Sequence, residues 1–178
     1  MCPVLRTAIT GQNPGSGRPV ISKGSHRAQM LTMKGKYGLK AMVHLAGCRP
    51  GEPELIMSIA TEHGISKKFL DAILGELRVA GLVVSKKGKG GGYALARPPH
   101  EISVGEIVRV LDGPLAPIDC ASRTRYRRCA DCRDETVCSV RRMMQEVRDS
   151  IARVLDNRSL AEMRASVDWE LDALTYQI

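Results

Sequence analysis

Aromatic residues are scarce in this 178-residue sequence, which contains one Trp, one Phe and four Tyr, or 3% of the chain. A core with so few rings must pack through aliphatic side chains and Met, and this favours helices over an aromatic-rich β-sandwich. Long hydrophobic runs are also absent, since no segment approaches the roughly 20 apolar residues that span a bilayer. Residues 1–29 show no signal-peptide pattern. We therefore expect a cytoplasmic protein without a membrane segment.

Positive charge is concentrated in the first half of the chain. Lys and Arg number 27 against 19 Asp and Glu, which gives a net charge of +8. Residues 30–97 contain eleven basic and five acidic side chains, whereas residues 98–178 contain twelve basic and fourteen acidic ones. This asymmetry indicates a polyanion partner for the first half. A solvated basic surface is the alternative, and charge alone does not distinguish the two.

The N-terminal 29 residues differ from the rest of the sequence. They are rich in Gly, Pro, Ser and Arg, contain no acidic residue and show no helical or strand period. We expect a disordered, dispensable extension here. Met30 and Met33 stand just before the patterned region, so a start codon placed too early is a further explanation.

Two short helices are predicted to meet at the turn His63-Gly64-Ile65-Ser66. Gly64 suits the position just past a helix end, and Ser66 suits an N-cap. The first helix has an apolar face formed by Leu55, Ile56, Ile59 and Ala60. The second has an apolar stripe with a 3.6-residue period, formed by Phe69, Leu70, Ile73, Leu74 and Leu77. This arrangement is typical of a helix-turn-helix.

A glycine-rich hairpin follows directly. Residues 82–85 and 93–96 read as two short strands, and the segment between them is Lys86-Lys87-Gly88-Lys89-Gly90-Gly91-Gly92. Glycines allow the backbone to approach another surface closely, and lysines contact phosphates. A nucleotide-binding P-loop is excluded because no helix follows the glycines and the Lys-Ser/Thr ending is absent. The sequence therefore predicts a mainly α fold with a small β-wing.

Three further helices are predicted after the wing. Ser103 with Glu106 forms a capping box for a helix through about Leu111, and Ser159 with Glu162 forms another for a last helix. Between them, a long helix from Ser139 to Asn157 has a heptad-like seam of Val140, Met144, Val147, Ile151 and Val154. We expect this seam to form a homodimer, with packing on its own domain as the alternative. In the last helix, one face is formed by Met163, Val167, Leu171 and Leu174.

Four cysteines with the spacing C-x8-C-x2-C-x5-C lie in the polar loop before the long helix: Cys120, Cys129, Cys132 and Cys138. We expect them to lie outside the core. Their thiol pKa values should be lowered by the basic side chains around them, Arg123, Arg125, Arg127, Arg128 and Arg133. An iron–sulfur cluster, a structural zinc ion and a thiol–disulfide switch between Cys129 and Cys132 all fit this pattern. The single CxxC pair counts against a zinc ribbon.

Catalysis is not expected. The four histidines, His26, His44, His63 and His100, are scattered, and no Ser/His/Asp or paired-carboxylate arrangement stands out. The context also argues against a thioredoxin-like enzyme, because the CxxC motif of such an enzyme would follow a strand at a helix start.

Several motifs in order resemble the IscR/NsrR/CymR family of bacterial winged-helix regulators, over about residues 30–165. They are Thr32–Gly38, Gly64-Ile65-Ser66 with Phe69-Leu70, Leu77–Val83, Lys87–Pro98 and Ile102–Val108. The resemblance implies a winged helix-turn-helix with a long dimerisation helix. It also implies a homodimeric regulator, more often a repressor, that binds palindromic double-stranded promoter DNA. The chain then divides into an extension (1–29), a DNA-binding domain (30–112), a cysteine-rich sensor loop (113–138) and dimerisation and C-terminal helices (139–178).

The resemblance also implies site residues. The family's DNA-contacting positions at the start of the recognition helix fall on Ser66, Lys68, Phe69 and Asp71, and Lys67 adds charge there. From the residues themselves, further candidates for phosphate contacts are Lys34, Lys36 and Tyr37 at the start of the first helix and Lys86, Lys87 and Lys89 in the wing. Lys87 takes the position that reaches the minor groove, and Asp71 is expected to accept from cytosine N4. A bare surface charge is the alternative for Lys34 and for Asp71.

Many family members hold a [2Fe–2S] or [4Fe–4S] cluster in the cysteine loop. Cys120, Cys132 and Cys138 match three ligand positions, but Arg141 stands where IscR has a ligating His. The fourth ligand is then Cys129 or a group from a second subunit. Zinc or a thiol switch without metal remains an alternative, and a metal-binding protein–protein interaction module is a more distant one.

Overall fold

The computed structural model describes residues 31–88 and 90–166. The helices are α1 (Met33–Ala46), α2 (Ile56–His63), α3 (Lys67–Val79), α4 (Val104–Asp112) and α5 (Ser139–Asp156), and the strands are β1 (Val83–Lys86) and β2 (Gly92–Leu95). A sixth helix, α6, begins at residue 160 and extends to the last described residue. The two antiparallel strands form the wing. The predicted mainly α fold with a small β-wing is confirmed.

The core is organised around the apolar stripe of α3. Its four central side chains are fully buried, and α1 and α4 pack against them, contributing Met42 and Ile107 among others. The predicted apolar faces are wrong at two positions, whose side chains are exposed. Phe69, in the first turn of α3, is 37% exposed, and Leu55, which precedes α2 in an extended conformation, is 55% exposed.

The helix ends follow local sequence signals. The hydroxyl of Ser66 accepts from the N–H of Phe69 at 3.4 Å, and Gly64 ends α2 with φ of +62°. Ser159 and Glu162 form both halves of the predicted capping box, with bonds of 2.8 and 3.1 Å.

In the other predicted capping box, only the serine forms its expected hydrogen bond. Ser103 does cap α4, since its hydroxyl accepts from the N–H of Glu106 at 3.1 Å. The carboxylate of Glu106, however, accepts from Arg97 at 2.7 Å. The acidic side chain of this motif therefore joins α4 to the segment after the wing.

The wing is fastened to the domain at its base. Val83 pairs with Leu95 and Lys86 with Gly92 in the antiparallel register. Tyr93 also exchanges two backbone hydrogen bonds with Glu54, of 2.8 and 2.9 Å. Gly92 lies so close to the Glu54 carbonyl that a Cβ atom there would overlap backbone atoms. The glycine therefore permits the contact that fixes the direction of the wing.

α5 extends from the domain with little apolar anchoring. None of its residues, all of which the structure describes, is buried, and Val140 and Val154 of the predicted seam are 60% and 65% exposed. Its last turn is joined to α4 by a two-bond ion pair between Arg109 and Asp156, with distances of 2.5 and 2.8 Å.

α6 returns the chain to the core, where Leu160 is fully buried and Met163 partly so. The other members of its predicted face, Val167, Leu171 and Leu174, lie outside the described residues, as do residues 1–30. Among the described residues, no helix is both long enough and apolar enough to cross a membrane.

Replacing Gly92 with Ala should lower the free energy of unfolding by about 1–3 kcal/mol, because the new methyl group overlaps rigid backbone atoms of residues 54 and 55. Gly75, in α3, is the matched control, since no atom lies within 4 Å of the place of its Cβ. Gly75→Ala should raise stability by about 0.5–1 kcal/mol through helix propensity. Denaturant unfolding measures both, and an equal effect of the two substitutions would contradict the close contact at Gly92.

Candidate DNA-binding surface and cysteine cluster

The first turn of α3 presents a continuous exposed surface. Its buried stripe faces the core, so the side chains on the other side of the turn face outward. All five sequence-predicted positions here are exposed: Ser66, Lys67, Lys68, Phe69 and Asp71. Two lysines and a hydroxyl at a helix N-terminus favour anions, because the unpaired N–H groups add to the charge.

Two contacts hold this surface against its neighbours. Tyr37 of α1 meets Phe69 edge to face, with ring centroids 6.0 Å apart. The hydroxyl of Tyr93 in the wing donates to Asp71 at 3.2 Å. Burial, followed by the charge of Asp71, raises the pKa of Tyr93, so its hydroxyl stays protonated and able to donate. The aromatic pair joins α3 to α1, and the hydroxyl–carboxylate bond joins α3 to the wing.

The predicted lysines are placed unequally. Lys36, Lys86 and Lys87 are exposed, whereas Lys34 forms an ion pair with Glu76 of α3 at 3.0 Å. The charge of Lys34 is therefore partly neutralised within the domain. Lys89 lies outside the described residues.

The four loop cysteines lie close to one another. Cys120 belongs to a 3₁₀ turn, Asp119–Ala121, and is 5% exposed, contrary to the expectation that all four lie outside the core. Its burial follows from the packing of this turn against α5. Cys129 is exposed, and Cys132 and Cys138 are half-buried. The sulfur of Cys138 also caps α5, accepting from the N–H of Arg141 at 3.4 Å.

The thiols affect one another's pKa values. Hydrogen bonding to Cys120 is the largest cause that raises the pKa of Cys129. Burial, followed by the charges of Cys138 and Cys129, raises the pKa of Cys132. Cys129 therefore affects the pKa of Cys132, its predicted switch partner, less than Cys138 does.

The expectation that nearby arginines lower the thiol pKa values is wrong for Cys129 and Cys132. Arg128 does lower the pKa of Cys132, but burial and the neighbouring thiols outweigh it. The guanidinium groups are engaged elsewhere, since Arg127 pairs with Asp119 at 2.5 Å and Arg128 donates to the carbonyls of Cys132 and Arg133.

Two arginines of α5 hold the turn around Cys120. Arg141 donates to the carbonyl of Cys120 at 3.0 Å, and Arg148 donates to the carbonyl of Ala121 at 2.5 Å. Arg148 also pairs with Asp149, and its side chain is 13% exposed. Hydrogen bonds from charged donors contribute roughly 1.5–3 kcal/mol. Arg141 stands at the position where the family resemblance implies a ligating His, and its side chain binds the backbone carbonyl of Cys120.

The sequence did not indicate that two histidines meet. The imidazole rings of His44 and His63 lie 5.4 Å apart, and Glu62 lies between them in reach of both. Each histidine occupies the last turn of its helix, α1 or α2. This repeated placement is a weak signal that becomes informative only once the two helix ends are known to pack together.

Comparison with known proteins agrees with this geometry. The family model Rrf2, described as an iron-dependent transcriptional regulator, matches residues 31–166. The rrf2-like HTH-type transcriptional regulator of Rhodobacter capsulatus is 44% identical over 140 residues, which cover 77% of this chain and 93% of that protein. CymR of Bacillus subtilis is 33% identical over 148 residues, covering 83% of this chain and 99% of CymR.

Solved structures give the same result. The structure of CymR, the global cysteine regulator of B. subtilis, superposes with a TM-score of 0.64 and covers 76% of this chain and 96% of that one. The structure of T. potens IscR is 34% identical, with a TM-score of 0.62, and covers 77% and 87% of the two chains. Together with the exposed helix-turn-helix and wing, these relatives define a DNA-binding transcriptional regulator. The chain belongs to the Rrf2 family.

Proposed function

We propose that this protein binds palindromic promoter DNA as a homodimer and represses transcription, with its DNA affinity set by an iron–sulfur cluster in the cysteine loop. The exposed first turn of α3 would enter the major groove, and the wing would follow the backbone toward the minor groove. The observation that supports cluster control best is the gathering of four thiols beside α5, the helix expected to form the dimer.

We propose two kinds of DNA contact, one with phosphates and one with bases. Lys36, Lys67, Lys68, Lys86 and Lys87, all exposed, and Lys89 would neutralise phosphates. Ser66, Phe69 and Asp71 would lie nearest the bases, where the Tyr93 hydroxyl fixes the orientation of Asp71. Tyr37 would act by supporting Phe69, and Lys34, which shares its charge with Glu76, would contribute least.

The donor set fits a thiolate-bound cluster. A single tetrahedral zinc ion needs four sulfurs around one point, whereas a two-iron cluster takes two thiolates on each iron. Cys120 is the largest influence on the pKa of Cys129, and Cys138 affects the pKa of Cys132 more than Cys129 does. Among residues 31–88 and 90–166, both groups of three potential ligand atoms within 4.8 Å of one another contain His44 and no loop cysteine. We therefore propose a [2Fe–2S] cluster with Cys129 as the fourth ligand.

Control of DNA binding would pass through α5. When bound, the cluster supplies an iron- and redox-dependent link between the loop cysteines. Arg141 and Arg148 hold the Cys120 turn against α5, and Cys138 caps the same helix. A shift of the loop would therefore change the direction of α5. In a dimer joined through α5, that change alters the distance between the two recognition helices, which must match one DNA turn of roughly 34 Å.

Replacing Lys68 with Ala should weaken binding to operator and non-operator DNA alike. It should also lower the slope of log affinity against log salt by about one, because one phosphate contact is lost. Fluorescence anisotropy over a salt series measures both. Arg49→Ala is the control, since the side chain of Arg49 is 84% exposed and the residue follows the C-terminal end of α1, outside the predicted DNA contacts. A salt-independent interaction, or equal effects of the two variants, would favour a protein-binding module over a DNA-binding one.

Replacing Cys129 with Ser should abolish thiolate–iron absorption and remove equal amounts of iron and acid-labile sulfide from anaerobically purified protein. Cys48→Ser is the control, because Cys48 lies in the segment after α1 and not in the cysteine loop. Unchanged iron and sulfide in the Cys129 variant would assign the fourth ligand to another group. If the wild-type protein is colourless and its zinc content depends on Cys129, the loop holds a structural zinc ion. If it is colourless and Cys129 binds no metal, a thiol switch is the remaining explanation.

Replacing Val154 with Lys should weaken the dimer about a hundredfold, since an unpaired charge buried in the seam costs roughly 3 kcal/mol. Val84→Lys is the matched control, because Val84 is also an exposed valine, 53% accessible, but lies in the wing. Sedimentation equilibrium separates the two. A Val154 variant that stays dimeric at the wild-type dissociation constant would mean that the seam is not the interface.

A further inference from the structure

A second cluster of potential ligands lies at the ends of α1 and α2, on elements separate from the cysteine loop. Nδ1 of His44 is 3.1 Å from one carboxylate oxygen of Glu62, and Nε2 of His63 is 3.9 Å from the other. One ligand atom from each of the three residues lies within 4.8 Å of the other two. Two nitrogen donors from different helices therefore converge on one carboxylate.

His63 is incompletely satisfied in this arrangement. Its Nε2 atom is buried and has no hydrogen-bond partner, because 3.9 Å is too long for a hydrogen bond to Glu62. An unsatisfied buried polar atom destabilises the folded protein. An ordinary ion pair between His44 and Glu62 explains those two residues but leaves this nitrogen unexplained. A cation placed between the three residues would give it a partner.

The exposure of the three side chains suits metal entry. His44 and His63 are 12% and 20% exposed, whereas Glu62 is 61% exposed. The imidazoles thus form the inner wall and the carboxylate the solvent side.

The neighbouring Cys48 is a weaker candidate. It forms a second group with His44 and Glu54, but its sulfur already contacts the carbonyl of His44 at 3.5 Å. Burial, followed by the charge of Glu54, raises the pKa of Cys48, so this thiol is held in its protonated form. The imidazole–carboxylate group therefore has the better donor set.

We propose that His44, Glu62 and His63 form a binding site for a divalent metal ion of the zinc type that fastens the end of α1 to the end of α2. Two imidazole nitrogens and one carboxylate oxygen are the ligands that Zn²⁺ takes in open, three-ligand protein sites. Only the short segment Gly64–Ser66 joins the end of α2 to the start of α3, so a metal ion here would stiffen the helix-turn-helix.

Imidazole NMR of the full-length, metal-free, reduced protein tests the site during titration with Zn²⁺. The side-chain signals of His44 and His63 should shift together and saturate, because their nitrogens become ligands. His100 is the internal control, since its side chain is 72% exposed on another part of the surface. Assignment comes from the variants His44→Gln, His63→Gln and His100→Gln. Unshifted signals of His44 and His63 in the wild-type protein would overturn the proposal.

Zinc bound by the loop cysteines must be counted separately. In equilibrium dialysis against a chelator of known affinity, wild-type protein and His100→Gln should retain one more Zn²⁺ per chain than His63→Gln. Equal retention by all three proteins would assign all the bound zinc to the cysteines and would contradict the site. The result does not depend on whether the loop holds iron, so it stands apart from the proposed cluster.

Discussion

The guanidinium groups of Arg141 and Arg148 connect the cysteine loop to α5, and the proposed regulation depends on this connection. No side chain of α5 is fully buried, although Leu155 in its last turn packs against the core, so polar contacts supply much of its anchoring. Arg141 near its start donates to the carbonyl of Cys120, Arg148 at its middle donates to the carbonyl of Ala121, and the Arg109–Asp156 pair holds its last turn. Polar anchoring of this kind can change without loss of the core, which is what a movable helix requires.

The DNA-binding part follows a different constraint. The buried stripe of α3 fixes the rotation of that helix, and the rotation decides which side chains face outward. Contacts with α1 and the wing then set the direction of the surface, through the Tyr37–Phe69 rings and the Tyr93–Asp71 bond. In the proposed dimer, the firmly packed α3 and the polar anchoring of α5 would let each subunit keep its DNA-binding surface intact while the spacing between the two subunits changes.

Local signals explain how much of this could be predicted. The apolar period of α3, the Ser66 cap and the left-handed Gly64 depend on nearby residues, so the sequence located them within one or two positions. Contacts between distant segments were not predictable, because they depend on the packed fold. Examples are the ion pair between Lys34 and Glu76, the burial of Cys120 and the contact between the rings of His44 and His63. The prediction of lowered pKa values for Cys129 and Cys132 was wrong for the same reason. Counting nearby arginines ignores the carbonyls and carboxylates that already bind them.

The order of the cysteines along the chain does not determine their chemistry. Cys129 and Cys132 form the CxxC motif, yet Cys120 is the largest influence on the pKa of Cys129, and Cys138 affects the pKa of Cys132 more than Cys129 does. Cys120 and Cys138 lie at the two ends of the loop, Cys120 in the buried turn and Cys138 at the cap of α5. A metal or disulfide bond that joined Cys129 to Cys120, or Cys132 to Cys138, would therefore tie the tip of the loop to an anchored end. Joining the CxxC pair alone would constrain the tip and leave both ends as they were, so the proposed control of α5 requires a link that includes Cys120 or Cys138.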